Sequence, residues 1–175
     1  MSAQRRQWGF HELDSRFARE LVRSAGVSAG DLVVDLGAGR GAITQQLLRD
    51  GARVMAVELH PCRARQLRER CPDLCVLELD LSAWRPPRRD YRVVANPPFG
   101  LLTSLLRAMT ADRHLVQADL VVPAFVAARW SRGAGVNHDR YSARTVRRLP
   151  PTAFTPPATQ PTAVLRLQRK RDRPC

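Results

Sequence analysis

The glycine-rich stretch within residues 32–48 constrains the fold more than any other part of this chain. A short apolar run leads into Asp35, a turn with the spacing Gly37-x-Gly39-x-Gly41 follows at once, and apolar residues then recur at helical spacing. This order predicts a buried strand, a tight turn and a helix. Because glycine has no Cβ, such a turn can bend sharply and approach a ligand closely.

The turn is typical of two kinds of cofactor site. The helix that opens at Gly41 offers free N–H groups and a positive dipole end to a negatively charged group. Dinucleotide enzymes usually have the spacing G-x-G-x-x-G, whereas this chain has G-x-G-x-G preceded by Asp35. S-adenosylmethionine needs N–H groups for its carboxylate and an acid such as Asp35 for its ammonium. An ordinary tight turn would show the same pattern, so residues downstream decide the matter.

The rest of the chain alternates short apolar runs with helical patterns. Predicted helices cover residues 14–26, 41–50, 61–70 and 101–109, and predicted strands cover 31–36, 53–58, 74–77, 91–95, 116–122 and 162–167. This alternation is typical of a parallel sheet covered on both faces. We predict an α/β, Rossmann-like fold with a mostly parallel sheet and an antiparallel last strand. Residues 1–175 are expected to form a single domain, in which residues 131–148 are exposed and mobile.

The charge of the chain indicates a polyanionic partner. Lysine and arginine number 29 against 16 acidic residues, which gives a net charge of +13. Arginine favours bidentate phosphate contact, so nucleic acid is the simplest partner, although a GC-rich genome would also give an arginine-rich composition. Three basic segments could bind it: an arm at 1–13 with Arg5, Arg6 and Trp8, the 131–148 segment, and a tail at 168–175.

Other classes of protein are disfavoured by what the sequence lacks. It has no apolar run of about 18 residues and no apolar region near Met1, so we expect neither a membrane span nor a secretory signal. The four cysteines form no C-x-x-C pair, and we expect no metal site. The resulting expectation is a cytoplasmic monomer.

Polar residues follow three further predicted strands. Glu58 ends the second strand, Asp80 follows the third and Asn96 follows the fourth. In open α/β sheets, ligands bind outside the carboxyl ends of the strands. An acid about 20 residues after a glycine turn can accept the hydroxyls of a ribose, which we assign to Glu58. Asp80 could accept from the adenine amine of a cofactor, or it could instead cap a helix.

The sequence Asn96-Pro97-Pro98-Phe99 is the most specific signal. Two prolines remove two N–H donors, so the turn presents mainly carbonyl oxygens beside the Asn96 side chain. Acceptors on both hydrogens of an aromatic amine favour a pyramidal nitrogen whose lone pair can attack a methyl group. We expect Asn96 and the Pro97 carbonyl to hold that amine, and Phe99 to stack on the target base.

These motifs resemble a known enzyme family. The residues that carry the resemblance are Asp35-Leu36-Gly37-Ala38-Gly39-Arg40-Gly41, Val57-Glu58-Leu59, Asp80 and Asn96-Pro97-Pro98-Phe99, with His11-Glu12-Leu13 and the proline-rich stretch 154–165. They resemble the adenine-N6 rRNA methyltransferases, and above all the Erm-type enzymes. The resemblance implies an S-adenosylmethionine-dependent enzyme that methylates an adenine of 23S rRNA and confers macrolide–lincosamide–streptogramin B resistance. It also implies that Asn96 lies against the cofactor.

Three departures from that family stand out. Where the family has Gly-Gln-Asn-Phe-Leu around the cofactor, this chain has residues 14–18, so Arg16 and Ala18 are the matching cofactor-binding positions. The family usually carries a helical domain after the last strand, and the resemblance is to short forms without it. Pro123 stands where the family often has glutamine.

Two other functions remain open on the sequence alone. A DNA adenine methyltransferase would use the same Asn-Pro-Pro-aromatic chemistry, but a chain of 175 residues is short for an added target-recognition domain. A non-catalytic RNA-binding protein on a methyltransferase fold is favoured slightly by the altered residues 14–18. The intact motifs at 35–41 and 96–99 oppose it. Binding of S-adenosylmethionine would separate these classes.

Overall fold

The computed structural model of the protein describes residues 11–135, 137 and 139–170. In chain order the strands are β1 (Glu12–Leu13), β2 (Leu32–Leu36), β3 (Arg53–Val57), β4 (Cys75–Leu77), β5 (Tyr91–Ala95), β6 (Leu115–Pro123), β7 (Tyr141–Leu149), β8 (Phe154–Thr155) and β9 (Thr162–Arg169). The helices are α1 (Ser15–Ala25), α2 (Ala42–Arg49), α3 (Pro61–Arg70), α4 (Leu102–Ala111) and α5 (Ala124–Ser131).

A seven-stranded sheet organises the fold, in the order β4-β3-β2-β5-β6-β9-β7. The five strands from β4 to β6 are parallel, and β9 pairs antiparallel with β6. The predicted α/β class, the mostly parallel sheet and the antiparallel last strand are therefore confirmed. The strand order reverses beside β2, so the carboxyl ends of β2, β3 and β5 meet at one edge of the sheet.

Both faces of the sheet are covered at its centre, which explains why its inner strands are mostly apolar. Leu21, Leu47 and Leu67, from α1, α2 and α3, pack on one face together with Val33 of β2. Helices α4 and α5 pack on the other face, where Val34 of β2 belongs to the opposite core cluster. Successive residues of one strand thus enter different cores.

The described residues of 131–148 are largely exposed, as the sequence predicts, and part of the segment has a regular structure that the sequence did not indicate. Their second half belongs to β7, an edge strand paired antiparallel with β9. The sequence of β7 did not indicate a strand because it is rich in arginine and lacks an apolar run. Only Tyr141 and Leu149 at its ends are buried, and most side chains between them face solvent. Charged side chains on an edge strand also oppose pairing with another sheet. Arg147 forms an ion pair with Glu20 of α1 at 2.7 Å.

The two predicted basic ends of the chain are described only in part. Residues 1–10 of the arm, with Arg5, Arg6 and Trp8, lie outside the described residues, and so do residues 171–175 of the tail. The last arm residues form β1, which pairs antiparallel with β8. At the end of β9, Arg169 holds Asp90 through two hydrogen bonds of 3.0 and 2.6 Å. No helix among the described residues is long and apolar enough to cross a bilayer.

Candidate active site

A cleft opens at the edge of the sheet where the carboxyl ends of β2, β3 and β5 meet. Its walls are formed by residues 11–13, 35, 37–40, 42, 43, 58, 59, 63, 80, 81, 96–99 and 101. The space between protein atoms amounts to about 910 Å³, including open solvent at the mouth. Asp35, Glu58, Asp80 and Asn96, predicted from separate strand ends, therefore line one cavity.

The glycine turn needs glycine for two different reasons. Gly37, Gly39 and Gly41 all have positive φ angles, of 78°, 59° and 87°. A Cβ on Gly37 would lie 3.2 Å from Cδ of Pro98, so this glycine lets the turn lie against the Asn-Pro-Pro-Phe segment. A Cβ on Gly41 would lie 2.7 Å from the side chain of Leu67 in α3. Gly37 and Gly39 line the cleft, whereas Gly41 begins α2 just behind it.

Asp35 is a buried carboxyl with an unused oxygen. Its Oδ2 accepts a hydrogen bond from the Thr44 hydroxyl at 2.7 Å. Its Oδ1 is buried and has no hydrogen-bond partner among the described residues. Burial raises the pKa of this carboxyl to about 7, with a smaller raising effect from Glu58 and an opposing effect from Thr44. A cationic donor in the cleft would satisfy Oδ1, so the site fits the ammonium of an amino-acid group.

Glu58 is held in place from three sides. Oε2 accepts from the Gly39 N–H at 2.8 Å, and Oε1 accepts from the His60 N–H at 2.8 Å. Arg63, from the first turn of α3, lies 2.9 Å from Oε1 through its Nη2 atom. Oε1 is contacted by both His60 and Arg63, whereas Oε2 accepts from the Gly39 N–H. Oε2 is therefore the oxygen better placed to accept a further hydrogen bond, such as one from a ribose hydroxyl. The sequence interpretation missed Arg63, although its position on a helix directly after β3 lets it reach back to the strand end.

Asp80 does not cap a helix, which was one of the two roles considered for it. Its Oδ1 accepts from the Ser82 N–H at 2.7 Å and so caps a turn rather than a helix. That hydrogen bond lowers the pKa of the Asp80 carboxyl, which stays exposed at the rim of the cleft. Its second carboxylate oxygen can still accept from a ligand amine.

Asn96 is oriented by a residue distant in sequence. Its Nδ2 donates to the His11 carbonyl oxygen at 2.8 Å. Because the amide nitrogen is engaged, Oδ1 is the atom of Asn96 that remains for a substrate amine. His11 in turn contacts the Pro156 carbonyl through its Nδ1 at 3.1 Å. The residues around β1 thus fix a side chain at the end of β5.

The two prolines present their carbonyl groups unequally. The Pro98 carbonyl accepts from the Leu101 N–H at 3.1 Å, which closes the short helical turn over Phe99–Leu101. The Pro97 carbonyl is therefore the second acceptor next to Asn96. Phe99 is half-buried, with part of its ring against the core and part in the cleft.

The structure does not bring Arg16 and Ala18 to the cleft. The Arg16 side chain is 80% exposed and pairs with Glu20, while its backbone N–H is capped by Asp14. Ala18, a residue of α1, is fully buried in the core. Residues 11–13 line the cleft instead. The arrangement also has an ion pair across the glycine turn, between Glu12 and Arg40 at 3.4 Å.

Metal ligands are not grouped in the described part of the chain, where no three His, Cys, Asp or Glu side chains come together. The cleft instead offers donors and acceptors suited to an organic ligand. An apolar cavity with a few convergent polar groups is typical of a cofactor site. Its acceptors come in two sets, one around Asp35 and Glu58 and the other at Asn96 and Pro97.

The sequence and the fold are both similar to those of rRNA-modifying proteins. A family model described as ribosomal RNA adenine dimethylase matches residues 1–174. A relative called ribosomal RNA small subunit methyltransferase A, from Phenylobacterium zucineum, is 33% identical over 93% of this chain. A relative called rRNA adenine N-6-methyltransferase, from Bacteroides fragilis, is 24% identical over 90% of it.

Among solved structures, the fold is similar to that of the 23S rRNA methyltransferase ErmE. That match has a TM-score of 0.82 at 22% identity, and it covers 92% of this chain and 70% of the other. The chain spans 63% of the length of the Phenylobacterium relative and 64% of the Bacteroides relative.

Proposed function

The chain belongs to the ribosomal RNA adenine dimethylase family, and from this premise we propose that it transfers a methyl group from S-adenosylmethionine to the N6 amine of an adenine in 23S rRNA. The observation that carries the proposal is one cleft with two sets of acceptors. Asp35 and Glu58 suit the cofactor, and Asn96 with the Pro97 carbonyl suits an aromatic amine. We further propose that the modification confers macrolide–lincosamide–streptogramin B resistance.

The cofactor is proposed to bind where the cleft has acceptor atoms that can take further hydrogen bonds. S-adenosylmethionine, when bound, supplies an electrophilic methyl group on its sulfonium. Asp35 Oδ1 would accept from its ammonium, and the positive N-terminal end of α2, which follows the glycine turn, would face its carboxylate. Glu58 Oε2 would accept from the ribose, and Asp80 would accept from the adenine amine.

The substrate side of the cleft activates and orients the target base. Asn96 Oδ1 and the Pro97 carbonyl would each accept one hydrogen of the N6 amine. Acceptors aimed at both hydrogens leave the nitrogen lone pair directed away from the ring plane, and this interaction strengthens as the nitrogen becomes bonded to carbon. Phe99 offers the flipped or single-stranded base a surface on which to stack.

Glu58→Ala is expected to weaken S-adenosylmethionine binding by about 1–3 kcal/mol, since a charged hydrogen-bond acceptor is lost. Loss of Glu58 also removes the acceptor of the Gly39 N–H and the carboxylate that Arg63 contacts. Calorimetric titration of the folded variant measures the effect. Glu69→Ala is the matched control, because Glu69 is an exposed acid of α3 whose ion pair with Arg65 lies outside the cleft. Equal affinities for the two variants would remove Glu58 from the cofactor site.

Cofactor affinity is expected to rise with pH between about pH 6 and pH 8, because the ammonium requires an ionised Asp35. The pKa of Asp35 is raised to about 7, chiefly by burial, with Glu58 nearby and Thr44 donating to Oδ2. In the free protein this carboxyl holds its proton between about pH 4 and pH 7, so the free energy of unfolding falls as pH rises through that range. Calorimetry at several pH values measures the affinity, and Asp35→Asn should abolish the rise. A flat profile in the unaltered protein would contradict the assignment.

The RNA target can be distinguished from its alternatives by substrate competition. Protein-free 23S rRNA, small-subunit rRNA and adenine-containing duplex DNA would be offered together with tritiated S-adenosylmethionine. We expect label in 23S rRNA. The relative from Phenylobacterium zucineum makes small-subunit rRNA the second candidate. Label in DNA would favour a DNA methyltransferase, and cofactor-independent RNA binding without label would favour the non-catalytic alternative.

A further inference from the structure

Phe125 is an aromatic side chain in an unusual place. Of the large apolar side chains that the structure describes, only Leu59 and Phe125 are exposed, and Leu59 lines the cleft. Phe125 lies in the first turn of α5 with 68% of its surface exposed. It therefore contributes little to the core that Ala127 and Trp130 of the same helix form with the sheet.

This exposed ring lies at the same edge of the sheet as the cleft. Strand β6 pairs with β5 up to Leu120, opposite Ala95, which directly precedes Asn96. The strand then continues for three residues to Pro123, or about 10 Å at the usual rise of a strand. Helix α5 begins there, anchored by the Ala124 N–H donating to the Pro161 carbonyl at 2.8 Å. Phe125 is thus on the neighbouring strand end, beyond the wall of the cleft that holds the target amine.

Three exposed arginines follow Phe125 along the chain or lie on the strand next to its helix. Arg129 and Arg132 follow Phe125 by four and seven residues, and both are exposed. Phe125 and Arg129 therefore share the solvent face of α5, and Arg132 is its C-cap residue. Arg148 of β7 lies opposite Ala163 of β9, on the sheet face that α5 covers and at the level where α5 begins. Within the described ranges, no carboxylate forms an ion pair with Arg129, Arg132 or Arg148. Their charge is therefore available to an anionic partner.

We propose that these four residues, Phe125, Arg129, Arg132 and Arg148, form a docking surface for the single-stranded RNA that flanks the target adenosine, with one base stacked on Phe125. The inference rests on the proposed rRNA methyltransferase function and adds the surface that holds the substrate beside the cleft. An aromatic ring among arginines is the composition that binds single-stranded nucleic acid, since the ring takes a base and the guanidinium groups take phosphates.

A nucleic acid fits this surface better than a second protein does. A protein interface of ordinary size needs a buried apolar centre with few charges, whereas this surface has one ring and three cations. RNA duplexes are also disfavoured, because their bases are already stacked and cannot cover the ring. The surface therefore selects an unpaired segment.

Equilibrium binding tests the proposal without any need for catalysis. The probe is a short oligoadenylate that carries 2-aminopurine, whose fluorescence reports stacking, and in vitro transcribed 23S rRNA is titrated in parallel by filter binding. Phe125→Ala is expected to weaken binding of both by about tenfold, within the range of one stacked base. Phe125→Trp should bind as tightly as the unaltered protein, whereas Phe125→Leu should resemble Phe125→Ala because it is apolar but not flat.

The role of the arginines is tested by comparing a substitution of Arg148 with the same substitution of an arginine at the amino end of β3. Arg148→Gln is expected to weaken binding and to reduce its salt dependence, since a phosphate contact is lost. Arg53→Gln is the control, because Arg53 is exposed at the start of β3. S-adenosylmethionine affinity should be unchanged in all these variants.

Three results would overturn the docking surface. It is wrong if Phe125→Ala binds oligoadenylate and 23S rRNA within twofold of the unaltered protein. It is also wrong if leucine replaces Phe125 as well as tryptophan does, or if the variant changes only self-association in sedimentation. A protein that binds RNA through Phe125 but transfers no methyl group would instead overturn the proposed function and leave the surface standing.

Discussion

Replacing Asn96 by alanine is expected to lower the single-turnover rate of methyl transfer by about 10²-fold or more, as the loss of a preorganised polar group does in other enzymes. The substitution removes Oδ1, one of the two acceptors that we propose for the target amine. RNA affinity should change little, because phosphate contacts supply most of it. A single-turnover assay with an rRNA fragment, at saturating cofactor, measures the rate directly.

Substitutions of Phe99 provide the matched comparison. Phe99→Tyr should be tolerated because the stacking surface survives, and Phe99→Leu should weaken capture of the flipped base by about 1–3 kcal/mol. The loss of the hydrogen bond between Asn96 and the His11 carbonyl is a structural side effect of Asn96→Ala. Thermal unfolding of the variant shows whether the fold is retained. A folded Asn96→Ala variant that methylates as fast as the unaltered protein would mean that the amine is not activated here.

Asp119→Ala is expected to destabilise the protein by about 3–5 kcal/mol, which corresponds to a fall in melting temperature of about 6–20 °C. Asp119 of β6 is fully buried, and burial raises the pKa of its carboxyl despite opposing hydrogen bonds from Arg166 and Gln117. Arg166 of β9 lies 2.7 Å from it and is itself mostly buried. The substitution leaves that guanidinium in the core without its counter-charge.

The double variant Asp119→Leu/Arg166→Met isolates the cause of the instability. Replacing both charges by apolar residues of similar size is often neutral or stabilising. Arg166 also donates to the Ser24 carbonyl at the end of α1, at 2.6 Å, so some of the loss should remain. Calorimetric melting of both variants measures the difference. A single variant as stable as the unaltered protein would show that the pair contributes nothing to the fold.

The site was predictable where it depends on strand ends. Asp35, Glu58 and Asn96 each follow an apolar run, and in a parallel sheet those ends meet at one edge. Their convergence therefore follows from local patterns and the rules of sheet topology. Asp80 lies at the rim for the same reason, and the pattern also separates the strands from the helices that cover them.

Contacts between distant parts of the chain were not predictable in this way. The Asn96 amide is oriented by the carbonyl of His11, a residue 85 positions away. Strand β7 forms by pairing with β9, which is not its neighbour in sequence. Its exposed arginines leave no clear alternation of apolar and polar residues from which a strand could be predicted. Arg16 and Ala18 do not line the cleft, because both belong to α1, which begins at the Asp14 cap.

The central claim is that Asn96 and Pro97 hold an adenine amine for methylation from S-adenosylmethionine. The most direct test incubates the protein with total rRNA and labelled S-adenosylmethionine, digests the RNA to nucleosides and maps the modified position. We predict N6-methylated adenosine at one site of 23S rRNA, and its loss with Asn96→Ala. Label on another base or at a ring nitrogen, or no label from a protein shown to bind the cofactor, would contradict the account.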